Sequence, residues 1–341
     1  MLSSSISNFN LSMRIATKSF LFFAALFLGL EGLARLAFND TFVGRFDYGY
    51  HPTAGFVELG ERVDLRSAGG RRFWVQSFSN PKPAGRFRIF TVGDSVARGN
   101  AVELAYPHLL GEMLRAQGHN VESINLSVAG YGVRRRLVVL EQALKYQPDL
   151  IILHLNHSNE YEDEREWRRA QDAKSWHPSQ WLRKSYIIAR LDEAKTERLF
   201  WKLPTGMRSV REVNDHDAEL AAEQHGEQGK VWDRFFRDKT ADTVRLLQAK
   251  GVPVLLLSKG GLDASRKHLD DFGQDAFIAE RIGTGVYMAS TRQVFARLPN
   301  PDPYFSRDGI HWKPEGHRLM AEALLPITRR AIQVAPSPPH P

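Results

Sequence analysis

Arg88-Ile-Phe-Thr-Val92, followed by Gly93-Asp94-Ser95, is the stretch that decides the fold of this chain. Its apolar and β-branched residues read as a buried strand, and Gly93 permits a tight turn that presents Ser95 at the strand's C-terminal edge. In open α/β sheets that edge is where ligands sit. Working outward, the pattern alternates: strand 87–92, helix about 102–117, strand 121–126, helix about 133–146, strand 149–155. It resumes with a helix about 232–249 and the strand Pro253–Ser258. Such alternation predicts an α/β fold with a parallel sheet. Val133, Leu137, Leu140 and Leu144 recur at three or four residues, giving their helix one apolar stripe to lay on that sheet.

A serine hydroxyl is a poor nucleophile at neutral pH. It needs an imidazole to take its proton and a carboxylate to hold that imidazole in the right tautomer. Asp308-Gly-Ile-His311, far along the chain, can supply both from one loop. Each piece has a plainer reading: Gly-Asp-Ser is ordinary turn chemistry, Asp308 and His311 can be local loop hydrogen bonds, and Pro314-Glu-Gly316 can simply start a last helix. Their combination with the strand order points to a catalytic Ser95–His311 pair. The sequence Gly93-Asp-Ser95-Val-Ala97 lacks the second glycine of a Gly-x-Ser-x-Gly elbow, which sets it apart from α/β-hydrolases.

With these residues the chain resembles the SGNH/GDSL hydrolases. Gly93-Asp94-Ser95-Val96 is similar to the nucleophile block, with Val96 where leucine is commonest. Asn125-Leu-Ser-Val-Ala-Gly130 is similar to the glycine block, and Asp308-Gly-Ile-His311-Trp-Lys-Pro-Glu-Gly316-His317 to the final block. The remaining block, Gly-x-Asn-Asp or Gly-x-Asn-Glu, is met by His157-Ser-Asn159-Glu160, where a histidine replaces the glycine; Asn156 competes with Asn159. The resemblance runs over roughly residues 85 to 333. It implies a three-layer α/β/α, flavodoxin-like fold with a parallel sheet. Ser95 is then the nucleophile, His311 the base and Asp308 its orienting acid. An oxyanion hole is implied from the Ser95 amide, the Gly130 amide and the Asn159 side chain, or Asn156 in its place. No cofactor and no metal are implied. His154-x-x-His157-x-x-Glu160 has a metal-like look, but its spacing brings ligands together only on a helix, and this segment leaves a strand.

The composition, 341 residues with 43% hydrophobic and 25% charged, suits a globular enzyme. The net charge of +7 is scattered apart from Arg134-Arg135-Arg136 and Arg71-Arg72. No nucleic-acid motif accompanies it, so no nucleic-acid partner is expected, and a solvated basic surface is favoured over binding of acidic glycans or lipid heads. The absence of cysteine excludes disulfides and thiolate metal sites without fixing a compartment.

The N-terminus is directed to a membrane. Phe20–Leu30 is an uninterrupted apolar run preceded by Arg14 and Lys18, and the helical pattern continues through Leu33, Leu36 and Phe38. A run of this length suits a signal-peptide core, with Gly32-Leu33-Ala34 offering small residues for cleavage. Ser19–Phe38 also reaches the ~20 residues of a spanning helix, and Glu31 and Arg35, four apart, can pair near the far interface. The retained anchor is the favoured reading, with a cytoplasmic N-terminus and a catalytic domain facing the periplasm or exterior.

The expected organisation is a cytoplasmic tail at 1–18, the anchor or signal segment at 19–38 and an extension with short strands at 39–84. The SGNH-like domain follows at 85–335, carrying a helical insertion at 160–230, and a frayed tail ends the chain at 336–341. The insertion holds Trp167, Trp176, Trp181 and Trp201, which suit either packing or a platform for sugar rings. The expected activity is that of a serine esterase or acylhydrolase, deacetylating an envelope or extracellular carbohydrate. The alternatives are an O-acyltransferase with the same triad and a non-catalytic glycan-binding or assembly protein.

Overall fold

The computed structural model describes residues 2–37, 55–66, 73–156, 227–263 and 265–334, together with Ser185 and Ile187. Trp167, Trp176, Trp181, Trp201, His157, Asn159 and Glu160 lie outside the described residues. Helix α1 (Leu2–Ala37) leads into a three-stranded antiparallel sheet of β1 (Gly55–Leu59), β2 (Arg62–Arg66) and β3 (Gln76–Ser79). The central fold then runs β4 (Phe87–Val92), α2 (Ser95–Arg98), α3 (Tyr106–Ala116), β5 (Val121–Asn125), α4 (Val133–Ala143) and β6 (Leu150–His154). Later in the chain come α5 (Glu227–Ala249), β7 (Val254–Ser258) and a hairpin of β8 (Gly261–Leu262) and β9 (Leu269–Asp270). The chain closes with α6 (Gln274–Ala279), β10 (Val286–Ser290), α7 (Thr291–Phe295) and α8 (Pro314–Val334).

The main sheet is five-stranded, in the order β10-β7-β6-β4-β5, and every neighbouring pair is parallel. Counted along the chain this is the 2-1-3-4-5 order of flavodoxin-like folds, whose switch point lies between the first and third strands. Here that is the gap between β4 and β6. Both faces are covered, as a parallel sheet requires. Phe90, Val92, Ile151, Leu153, Val254 and Leu256 pack with α4, α5 and α6 on one side. Ile89, Leu150, Ile152, Leu255 and Leu257 pack with α2, α3, α7 and α8 on the other. The alternation within each strand follows from the two-residue period of the pleat, and three layers result.

Differences from the sequence reading have local causes. Helix α3 starts at Tyr106, with Ala105 extended before it and Pro107 in its first turn. Proline is tolerated there and disfavours helix in the residue before it. Helix α4 gives way after Ala143 to a tighter turn, Leu144–Tyr146, and Gln147 turns left-handed at φ 54°. Strand β10 was not anticipated. It buries only Val286, Ala289 and Ser290 fully, and its register against β7 makes it the sheet's edge.

The small antiparallel sheet packs on the α4 side. Phe56 stacks on Tyr146 at 5.6 Å, and Phe78 meets the same ring edge-on at 5.2 Å. The fully buried Arg88 ties the sheet down, donating to the carbonyls of Ser79 and Tyr146 at 2.7 Å each and pairing with Glu122 at 2.6 Å. In α1, the span Met13–Leu36 has mean hydropathy 1.7 and is long and apolar enough to cross a membrane; its apolar residues are mostly exposed, while Glu31 is buried. The Glu31–Arg35 pair is formed at 3.0 Å, and the other Glu31 oxygen accepts from Ser185 Oγ at 2.7 Å.

Candidate active site

β4 delivers its C-terminal end into Gly93-Asp94, and Ser95 opens the four-residue helix α2. Only glycine fits at 93: a Cβ there would stand 2.7 Å from Ala97 Cβ and 3.0 Å from His154 Cβ. Asp94 is fully buried and caps the short helix by accepting from Val96 N at 3.0 Å, the usual device for an orphan amide at a helix start. The close packing at Gly93 and the Asp94 cap together hold the Ser95 side chain at the sheet edge, beside the switch point.

His311 reaches it from the loop before α8. Ser95 Oγ lies 2.7 Å from His311 Nε2, and His311 Nδ1 lies 2.6 Å from Asp308 Oδ2. With the proton on Nδ1, the imidazole donates to Asp308 and accepts from the serine hydroxyl. The other Asp308 oxygen accepts from the amides of Ile310 and His311 at 2.9 Å each. Partial burial pushes the Asp308 carboxyl up, but these amides and the imidazole outweigh it and hold it below the ordinary carboxylate value. The carboxylate therefore stays ionised while it orients His311. Ser306 N donates to His311 O at 2.7 Å and Gly309, at φ 73°, closes the turn.

The oxyanion candidates are placed unequally. Gly130 lies at φ 73° in the loop between β5 and α4. That loop is fastened beside the Gly93–Ser95 turn, with Leu126 N donating to Thr91 O at 2.8 Å and Val128 N to Gly93 O at 3.3 Å. Asn156 is buried just past β6, across the switch point from Ser95. Arg136 fixes its backbone, donating to His154 O at 3.1 Å and Asn156 O at 2.8 Å. Asn159 lies outside the described residues.

Beneath Ser95, His311 and Asp308 is a layer of buried rings that sequence reasoning did not single out. Trp312 stacks on His154 at 5.4 Å and meets Tyr106 at 5.8 Å, His317 at 5.4 Å and Phe295 at 5.6 Å. Trp312 and His317 were visible only as members of the final block; nothing in the sequence tied Tyr106 or Lys259 to the site. Burial pushes the Lys259 ammonium below the ordinary lysine value, opposed by Asp94. His154 is depressed to about 3, by burial first and then by electrostatic repulsion from Arg136, His317 and Lys259. His317 falls to about 4, through burial and then the charge of His311.

Both buried imidazoles are thus neutral in the folded protein. Since their folded values lie below the unfolded one, stability is lost as pH falls through the unfolded value near 6.5 and continues to fall toward 4. For His317 this amounts to at most roughly 3 kcal/mol. A His317→Phe protein should show a flatter dependence of its denaturation midpoint on pH between 6 and 4; a slope equal to wild type would contradict the assignment.

No family model matches the chain, and no curated protein matches it either. Solved structures do. TesA is 15% identical, with a TM-score of 0.42, covering 72% of this chain and 99% of its own. An acetyl xylan esterase is 15% identical at a TM-score of 0.40, covering 71% and 99%. A lipolytic protein of the G-D-S-L family from Veillonella parvula is 12% identical at 0.41, covering 72% and 99%. The likenesses are distant, and the functional reading rests instead on the strand order and on the Ser95–His311–Asp308 relay.

Proposed function

We propose that this chain is a serine esterase of the SGNH type, a carboxylic ester hydrolase. The carrying observation is the continuous relay from Ser95 Oγ through both ring nitrogens of His311 to Asp308, at 2.7 and 2.6 Å. Ser95 Oγ attacks the ester carbonyl carbon while His311 Nε2 takes the hydroxyl proton, and Asp308 stabilises the imidazolium. Charge on the carbonyl oxygen is met by the Ser95 and Gly130 amides and by the side-chain amide of Asn156 or Asn159. His311 then returns the proton to the leaving alcohol, which departs and leaves an acyl group on Ser95. Water, deprotonated by the same imidazole, releases the acid and restores the serine.

The substrate reading is an acylated, chiefly acetylated, carbohydrate of the envelope or the cell exterior. Its support is the resemblance together with α1, which on this reading is a single-pass anchor in the cytoplasmic membrane with the catalytic domain on the periplasmic or outer side. Cleavage as a signal segment is the alternative fate of that helix.

The test is acetate release from 4-nitrophenyl acetate and from acetylated xylan by the full-length protein in detergent micelles, wild type against Ser95→Ala. Release by wild type alone supports the reading. Full activity of the Ser95→Ala protein would overturn it, and acetyl transfer to a glycan without free acetate would make the protein an acyltransferase.

A further inference from the structure

The loop that carries Asp308 and His311 is held by a second segment that the triad chemistry does not use. Leu262 N, in β8, donates to Gly309 O at 2.8 Å. From the tip of the same hairpin Arg266 reaches across with its whole guanidinium. Nη1 donates to Arg307 O at 2.9 Å, Nη2 to Ser306 O at 3.0 Å, and Nε pairs with the Asp302 carboxylate. The Arg307 carbonyl belongs to the peptide bond that leads directly into Asp308. The Ser306 carbonyl also accepts from Gly309 N at 3.0 Å. One planar cation thereby fixes three acceptors on the strand of chain just upstream of the triad acid, a geometry that arginine's rigid fork can satisfy and a lysine cannot.

The hairpin tip is built to present this side chain. Arg266 adopts φ 59°, a left-handed conformation uncommon for a side-chain-bearing residue. The Asp263 carboxylate locks the turn around it, accepting from Ser265 Oγ at 2.8 Å, Lys267 N at 3.2 Å and His268 N at 3.3 Å. Unfavourable backbone geometry kept in place by surrounding bonds is a mark of functional constraint.

From these contacts we propose that Arg266, held by Asp302, is the positioning residue of the Asp308–His311 loop and sets the carboxylate against the imidazole. This rests on the esterase reading. Arg266 touches no reacting atom; it acts through the peptide units on which Asp308 is mounted. Freed of it, the carboxylate moves relative to Nδ1, and displacements on the order of an ångström cost about 10²-fold in rate. The loss falls on kcat, because the loop orients a proton acceptor and does not bind the substrate.

The experiment measures kcat and KM for 4-nitrophenyl acetate from pH 5 to 9 on the full-length protein, using wild type, Ser95→Ala, Arg266→Ala, Arg266→Lys and Asp302→Asn, each with its denaturation midpoint. In Arg266→Ala the expected result is a fall in kcat of about 10- to 100-fold with KM within about threefold. The loss should be equal in kcat and in kcat/KM, the mark of an interaction that acts in the transition state. Arg266→Lys should recover little, and Asp302→Asn should show a smaller effect of the same kind. If Arg266→Ala does not fold, the lysine and Asp302 variants carry the test. A kcat within about twofold of wild type, a loss carried by KM with kcat unchanged, or full recovery in Arg266→Lys overturns the proposal. Activity remaining in Ser95→Ala would instead remove the esterase reading on which it stands.

Discussion

Replacing His311 by alanine should lower kcat for ester hydrolysis by about 10³-fold or more while leaving KM within a few-fold. The imidazole is the sole group that the described structure places within hydrogen-bond distance of Ser95 Oγ. Without it the hydroxyl must ionise unaided at a pH far below its own pKa. Asp308→Asn should be damaging by a different route. An amide nitrogen in place of Oδ2 is a donor and favours a lone pair on Nδ1, which moves the ring proton to Nε2, where the serine proton needs an acceptor. Asp308 is half exposed, with a side-chain exposure of 48%, so water can partly take over its place. The expected loss is therefore nearer 10²-fold than the roughly 10⁴-fold of a deeply buried triad acid. Steady-state kinetics on folded variants read both effects; a His311→Ala protein retaining a tenth of wild-type kcat would be incompatible with the relay.

The second large effect is on stability. Trp312 is fully buried between Tyr106, His154, His317 and Phe295, and it directly follows His311. Truncation to alanine removes an indole from the layer between α3, α8 and the sheet, where the neighbours belong to regular elements and cannot collapse inward. Such a substitution costs about 3–5 kcal/mol, a large share of the 5–15 kcal/mol typical of a domain. Activity should fall with it, because the adjacent imidazole loses its support. Trp312→Phe fills much of the volume and should retain more than half of that stability. The indole nitrogen has no hydrogen-bond partner among the described residues, so the change to phenylalanine sacrifices no polar contact. Urea denaturation of the two variants provides the comparison; a loss under about 1 kcal/mol for Trp312→Ala would show that the ring layer is not what supports the loop.

What the sequence disclosed and what it withheld follow from how far each signal reaches. The strands carrying Ser95 and Asn156 are short apolar runs with both faces buried, so Arg88–Val92 and Leu150–Leu155 were readable from local pattern. Gly93 and the Asp308-x-x-His311 spacing were readable because tight turns restrict residue type. Strand β10 was missed because its middle residues, Tyr287 and Met288, are half-buried at the sheet's edge and give no continuous apolar run. Arg266 was missed for a stronger reason. An arginine in a polar turn looks like a solvated charge, and its three acceptors, near Asp302, Ser306 and Arg307, lie 36 to 41 residues away. His154 was met only as a candidate metal ligand, whereas the structure buries it against Trp312 behind the Gly93–Ser95 turn.

The central claim is that Ser95 Oγ is the nucleophile and that His311 makes it one. Its most direct measurement is covalent capture: the full-length protein is treated with an alkyl fluorophosphonate, which serine nucleophiles displace at phosphorus with loss of fluoride, and the modified residue is mapped by peptide mass spectrometry. The expected result is one adduct, on Ser95, absent from Ser95→Ala and formed far more slowly by His311→Ala. An adduct that persists in Ser95→Ala, or a wild-type protein that hydrolyses acetyl esters without ever being captured at Ser95, would contradict it.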